Sequence, residues 1–364
     1  MSLAAPTRAP AHHPQPRRAA RIGGMSGVYR PRQLAVPAAA LVALLLAAAL
    51  SLGRGDFPVS VPDVLGVLAG AGEQTQRFIV LELRAPRIVV AVLVGLALGL
   101  SGALIQTFAR NPLASPDILG ITHGASVGAV AVIVFGGSAT TVGGLLGGVG
   151  VPAAALAGGL VTSFLVFGLA WRKGVDGYRL VLIGIALSTM AQALVSYLLT
   201  RSNIWDAAAA NVWITGSLNG RGWDQARPLA LALLVLVPLA LAASRVLGLL
   251  QFGDETARSL GLRVPLAQGV VVVVGVALAA FAVSAAGPIQ FVALVVPQIA
   301  VRLAGGSRPP LIASALLGAL LLVVSDLVAR TALPETFPVG VITAVVGAPY
   351  LLWLLVRGRR RSTL

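Results

Sequence analysis

Cysteine is absent from all 364 residues, which excludes a disulfide framework and any thiolate metal site. Charge is scarce: 11% of side chains are charged against 57% apolar, and mean hydropathy is +0.91. A soluble core is therefore excluded, and the chain reads as an all-α, polytopic membrane protein. Lysine occurs once, as Lys173 followed by Gly174, so there is no G-x-x-x-x-G-K-S/T phosphate loop. Any ATP that drives the chain must be bound by another subunit. Of the three histidines only His123 lies beyond the leader, and Met190 is the one methionine inside an apolar run. A bare transition metal would find few soft or imidazole ligands, so no metal or cofactor site is expected, and a carried metal would travel inside its chelator. Every Asp and Glu falls in a loop or near the end of an apolar run, Asp326 coming nearest to an exception. That argues against proton or sodium coupling. The excess of base, +15 with a pI near 11.7, does not point to nucleic acid. The basic residues lie between apolar runs and at the two ends, without aromatic interleaving.

What is present is a series of apolar runs. Residues 1–33, rich in Pro and Arg, read as a disordered basic leader, with Met25 as an alternative start. The run at 34–53 has the roughly 20 residues a bilayer needs. It exceeds the roughly 7–15 of a signal-peptide core, so cleavage is the lesser reading. Further spans are expected at about 86–109, 118–136, 145–170, 179–200, 228–248, 265–284, 287–304, 309–329 and 338–356. The stretch 265–304 is divided only at Ala285-Ala286-Gly287-Pro288. Ten spans with both termini cytoplasmic put 19 of the 27 Lys+Arg and 4 of the 12 acids inside, against 8 and 8 outside. The expected division is a leader, a ten-helix domain over 34–357 and a basic cytoplasmic tail over 358–364.

Between the sixth and seventh spans lies a polar stretch, about 253–262, bounded like a short helix. Asp254 is placed to cap its start, Glu255 sits in the first turn, Arg258 near the end, and Gly261 acts as the stop. Pro265 then opens the next apolar run. A helix so placed is a handle on the membrane part. Ala257 and Leu260, three apart, are expected to form its contact face, with Glu255 and Arg258 at the rim; alternatively, Leu260 folds back on the membrane domain. In the fifth span Ser188, Gln192 and Ser196 recur every fourth residue beside Thr189 and Tyr197, giving one polar face. This face either bonds to a neighbouring helix or lines a polar path. Gly95, Gly99, Gly120, Gly124 and Gly128 read as packing positions, and His123 as a membrane-edge or packing residue. Gly124-Ala-Ser126-Val-Gly128 matches a nucleophile elbow in letters only, since it lies in an apolar helix without a triad.

Several stretches together resemble one family. They are Leu83-Arg-Ala-Pro-Arg-Ile, Gly95-Leu-Ala-Leu-Gly-Leu-Ser-Gly-Ala-Leu-Ile-Gln106, and Arg110-Asn-Pro-Leu-Ala-Ser-Pro-Asp-Ile-Leu-Gly120. Phe252-Gly-Asp-Glu-Thr-Ala-Arg-Ser-Leu-Gly-Leu262 and Gly287-Pro-Ile-Gln-Phe-Val-Ala-Leu-Val-Val-Pro-Gln298 complete the set. The chain is similar over about 34–356 to the permease subunits of type II ABC importers for ferric siderophores, haem and cobalamin, the FecCD family. The resemblance implies a ten-helix subunit paired with a second permease, identical or related, around a central pathway. It also implies two cytoplasmic ABC ATPase subunits and an extracytoplasmic binding protein that delivers cargo. By position, Gly253 to Leu262 would be the ATPase-coupling helix, Asn111 and Leu113 part of a cytoplasmic gate, and Ser188, Thr189, Gln192 and Ser196 the pathway wall. Arg77 and Arg330 would meet the acidic lobes of the binding protein, unless they are solvated or pair locally. Gln298 stands where many members have His, which removes that position as a guide to cargo. The order of spans suggests an inverted repeat, two to five against seven to ten. Within the family the motifs look most like ferric-siderophore permeases, with haem and cobalamin as the alternatives. A proton-coupled exporter is the reading from another class.

Overall fold

The computed structural model describes residues 19–22, 25–28, 31–55, 57–135, 150–171, 177–250, 253–306, 308–332 and 337–359. Most of the expected leader and residues 360–364 of the tail lie outside them. Within the leader, β1 (Ala19–Ile22) pairs antiparallel with β2 (Met25–Val28), Ile22 opposite Met25. The expected leader therefore contains one paired two-strand segment among its described residues.

The rest is helical. Seven helices among the described residues are long and apolar enough to cross a membrane. They are α1 (Pro31–Gly53), the continuous Gln74–Ala109, α6 (Gly150–Ala170), α7 (Gly177–Arg201), α9 (Trp223–Leu250), α11 (Val264–Ala286) and α13 (Leu311–Thr331). Three helices with shorter apolar stretches stand where the remaining spans were expected: α5 (Ile121–Phe135), α12 (Val292–Ala304) and α14 (Val339–Arg359, of which Val339–Leu354 is the apolar part). The division of 265–304 falls where Gly-Pro punctuates it, but α12 starts at Val292 rather than 287. Gly287 at φ 75°, Pro288, and Phe291 at φ 67° keep the intervening residues out of helix.

The second span also begins earlier than its apolar run. After the short α2 (Val61–Leu68), α3 (Gln74–Arg77) passes through a π-helical stretch, Phe78–Arg84, into α4 (Ala85–Ala109). Pro86 supplies no N–H for a carbonyl four residues back, and the wide turn absorbs the mismatch. The Leu81 carbonyl there accepts the Trp223 indole N–H at 3.2 Å. One further helix, α8 (Ile204–Thr215), is capped by Asn203, whose side chain accepts from the Asp206 N–H. It was not expected, because its Ala-rich run is too short for a span.

α4 is the axle. Its buried residues run round the whole circumference, and α9, α11, α12 and α13 pack on it. In a bilayer such packing comes from close backbone approach rather than from a hydrophobic drive. A Cβ on Gly95 would stand 2.4 Å from the Gly318 carbonyl oxygen, and one on Gly102 only 1.8 Å from that of Ala293. On α5, a Cβ on Gly128 would stand 2.1 Å from the Ala154 oxygen of α6. Polar groups lock the same contacts. Ser101 Oγ donates to Gly275 O at 2.6 Å, Gln106 Nε2 to Leu294 O at 2.8 Å, and Gln298 Nε2 to Gln106 Oε1 at 2.7 Å. Gln298 is therefore a bond between α4 and α12.

Substituting Gly102 with Ala is expected to lower stability by about 1–3 kcal/mol through overpacking. Gly168→Ala, on an open surface of α6, should be neutral or slightly stabilising. Thermal unfolding of the two purified variants checks the contrast.

Candidate functional site

The polar stretch after α9 does form a short helix, α10 (Asp254–Ser259). Its cap is not Asp254, which is the first helical residue. The cap is Gly253, whose φ of 97° and ψ of 155° suit glycine. The far end closes as expected. Gly261, at φ 85°, donates its N–H to Arg258 O at 2.9 Å, and Leu262 donates to Ala257 O at 3.0 Å, the paired bonds of a Schellman stop. Glu255 and Arg258 are exposed, and Leu260 is 61% exposed. Ala257 is fully buried against Leu250 and Val264, with Leu262 alongside. The expected Ala257–Leu260 contact face is thus corrected. Leu260 is the C-cap, where the chain already turns toward Gly261, so its side chain leaves the face on which Ala257 packs. The handle rests on Ala257 and presents Leu260. Pro265 stands in the first turn of α11, as expected.

The handle meets the α4–α5 turn at the Leu250 carbonyl. The Leu250 carbonyl oxygen, at the end of α9, accepts the Gly253 N–H at 3.3 Å and the Arg110 Nη2 at 2.6 Å. Arg110 is the left-handed C-cap of α4, at φ 49° and ψ 30°, and its charge sits on the negative end of the α9 dipole. Directly after it, Asn111 Oδ1 accepts the Leu113 N–H at 2.9 Å and Asn111 O accepts the Ala114 N–H at 3.1 Å. The two expected gate residues therefore belong to one Asx-stabilised turn. Beyond it, Asp117 lies in a 3-10 turn, Pro116–Leu119, and accepts the Thr122 hydroxyl. Burial pushes its carboxyl above the ordinary carboxylate range, and the Thr122 hydrogen bond counters part of that shift. Arg110 was missed as a site residue, although an arginine just after a helix and before Asn-Pro is a legible C-cap signal.

The polar face of α7 opens on a recess of about 230 Å³. Gln192 and Ser196 line it with His123 and Ser126 of α5 and Gln290 from the Gly287–Phe291 turn. Ser188 and Thr189 do not line it: Ser188 stands toward Gly120, and the Thr189 hydroxyl is satisfied by Ile185 O at 2.9 Å. Gln192 Nε2 lies 3.0 Å from His123 Nε2. An amide nitrogen only donates, so in this assignment His123 Nε2 accepts and Nδ1 carries the proton. Nδ1 is buried with no partner among the described residues. His123 is thus a recess residue as well as a packing one.

At the other end of the bundle the two candidate docking arginines differ. Arg77, at the end of α3, is exposed. Arg330, its side chain 10% exposed, donates from Nε to Asp326 Oδ2 at 3.1 Å and from Nη2 to Ser51 Oγ at 2.5 Å. Asp326 also takes Arg87, through Nη2 at 2.7 Å and Nε at 3.0 Å. The docking expectation for Arg330 is corrected: it pairs locally, because a carboxylate one turn away at a helix end offers an ion pair in place of water. Arg84 adds to this knot by donating to the carbonyls of Leu52 at 2.7 Å and Phe57 at 2.5 Å. These lie at and beyond the open end of α1.

Apolar helices of bilayer length, a polar recess between them and an exposed polar helix at one end define the membrane subunit of a transporter. The chain belongs to the FecCD transport family, whose model matches residues 42–357. It is 38% identical to the ferric enterobactin transport system permease protein FepG of Escherichia coli (strain K12), over 92% of this chain and 100% of that protein. It is 41% identical to the Fe(3+) dicitrate transport system permease protein FecD of the same organism, over 87% and 97%. Among solved structures, an inward-facing metal-chelate type ABC transporter superposes with a TM-score of 0.78 at 29% identity, covering 89% of this chain and 99% of that one.

Asp326→Ala would remove the buried carboxylate that Arg87 and Arg330 share, at an expected cost of about 3–5 kcal/mol. Arg77→Ala should leave stability unchanged within about 0.5 kcal/mol. Chemical denaturation of the purified variants reads both. Equal stability of the two would remove the knot from the account.

Proposed function

We propose that the chain is the permease subunit of an ATP-driven importer that carries a ferric siderophore inward by alternating access. In this reading ten helices cross the membrane, the three short apolar ones included, and both termini are cytoplasmic. A second permease, identical or related, completes the pathway, with the His123–Gln192 recess on its wall. Separate ABC ATPase subunits grip α10 through Leu260, Glu255 and Arg258, and an extracytoplasmic binding protein docks at the opposite face, where Arg77 is exposed. The cargo assignment leans on the iron-chelate relatives and on the dearth of Cys, His and Met along the chain, which leaves the chelator rather than the protein to hold iron.

The observation that supports the coupling step is the Leu250 carbonyl, shared by the first backbone bond of the handle and by the arginine of the gate turn. Closure of the ATPases on ATP displaces α10. Ala257 packs against Leu250 and Val264, so the displacement is carried to the ends of α9 and α11. Arg110 follows the Leu250 oxygen and takes Asn111 and Leu113 with it. The gate turn therefore moves as a body rather than by side-chain flips.

The test is uptake by cells that lack the chain and are complemented with it or with Leu260→Asp. Iron from at least one ferric siderophore should enter only with the parental chain, and Leu260→Asp should reduce uptake at least about tenfold, the factor that some 1.4 kcal/mol of lost contact gives. Free ferrous iron should enter regardless. Normal siderophore uptake without the chain, with cobalamin uptake lost instead, would overturn the cargo assignment. Parental uptake by Leu260→Asp would overturn the handle.

A further inference from the structure

A second cavity lies at the same end of the bundle as the handle, on its flank. It measures about 390 Å³ and opens between the first turns of α1 and α13 and the last turns of α9, with Thr107 of α4 also on its wall. Arg308, in the turn before α13, lines it and is exposed, and among the described residues it has no ion-pair partner. Arg32 of α1 reaches over the same turn, its Nη1 3.8 Å from where a Cβ on Gly305 would stand. The other polar side chains of the wall are Gln33, Thr107 and Ser244, all uncharged. α13 starts without a side-chain cap. Pro310 holds the cap position, and the Ser314 hydroxyl donates to Pro310 O at 2.9 Å instead of accepting from the first turn. The residues of that first turn, Leu311, Ile312 and Ala313, line the cavity, and the N–H groups at a helix start have no intrahelical partner. The cavity rim is apolar and outward-facing: Leu34, Leu241 and Ile312 are 62%, 38% and 56% exposed.

From this combination we infer that the cavity holds the headgroup phosphate of an anionic phospholipid of the surrounding bilayer, its acyl chains lying along Leu34, Leu241 and Ile312. Arg308 on the wall and Arg32 beside the turn, with no carboxylate paired to them among the described residues, favour an anion, and a helix start without a side-chain cap suits phosphate oxygens. A zwitterionic headgroup would bring a cation that meets no counter-charge here. A soluble phosphate would leave the apolar rim uncovered, whereas a lipid covers it. The inference rests on the chain lying in a membrane, not on its cargo or its orientation.

Native mass spectrometry of the purified full-length permease tests it, with phosphatidylglycerol, phosphatidylcholine and inorganic phosphate as separate probes and neither cargo nor nucleotide present. Phosphatidylglycerol should be retained over phosphatidylcholine. Arg308→Ala and Arg32→Ala should each weaken its retention about fivefold, the factor expected for one basic residue at an anionic lipid surface. Arg77→Ala, at the far end of the bundle, should not. Thermal unfolding of each variant establishes that it is folded. Equal retention of the two lipids, or retention untouched in the Arg32/Arg308 double variant while it stays folded, would overturn the site. Binding of inorganic phosphate as tight as that of phosphatidylglycerol would overturn the lipid as its occupant.

Discussion

The carbonyl oxygen of Leu250 joins α10 to the turn between α4 and α5. A helix leaves its last carbonyls without intrahelical partners, and here one of them is filled from two directions. The Gly253 N–H opens α10, and the Arg110 guanidinium arrives from the α4–α5 turn. The link between these two segments is therefore part of how the end of α9 is capped. A charge-assisted bond at 2.6 Å onto the negative end of a helix is among the stronger polar contacts a loop can make.

The opposite end of the bundle is built differently. There Arg84, Arg87 and Arg330 tie α1, α4 and α13 together through Asp326, Ser51 and the carbonyls of Leu52 and Phe57. α4 joins the two ends, and its glycines hold it in backbone contact with α12 and α13. At the end away from that knot α4 is held by the Gln106 bonds to Leu294 and Gln298 as well as by the Arg110 bond to Leu250. The polar recess at His123 and Gln192 lies between α5 and α7 and is closed by Pro288 and Gln290 of the turn that joins α11 to α12, two helices packed on α4.

Much of this was legible in the sequence, and the misses have physical reasons. Apolar runs, Gly-Pro punctuation and the small-residue spacing located the helices and their close contacts, because in lipid every backbone group must be paired within its own segment. Capping chemistry located α10 and its Gly261 stop. The start of α4 was hidden because Arg77, Glu82 and Arg84 interrupt the apolar pattern that marks a span, while the helix itself continues through them as a π-turn. Ala257 and Leu260 were paired by ideal helical spacing, which fails at the last residue before a left-handed glycine. Arg330 was left between docking and local pairing because the sequence shows its Asp326 neighbour but not Arg87, brought from 239 positions away. Arg110 escaped for the same reason: its partner is a backbone carbonyl 140 positions away.

The central claim is that the Arg110 bond to Leu250 carries handle motion to the gate. Its most direct measurement is the number of ATP molecules hydrolysed per cargo molecule transported, in proteoliposomes holding the full complex with Arg110→Gln. The account predicts that hydrolysis continues while transport falls, so the ratio rises by about tenfold or more, as expected when a contact of roughly 1.5–3 kcal/mol is lost from a coupling path. Arg110→Lys should recover part of the coupling, since a cation at that helix end is restored. An unchanged ratio in Arg110→Gln, with the complex intact, would contradict the account.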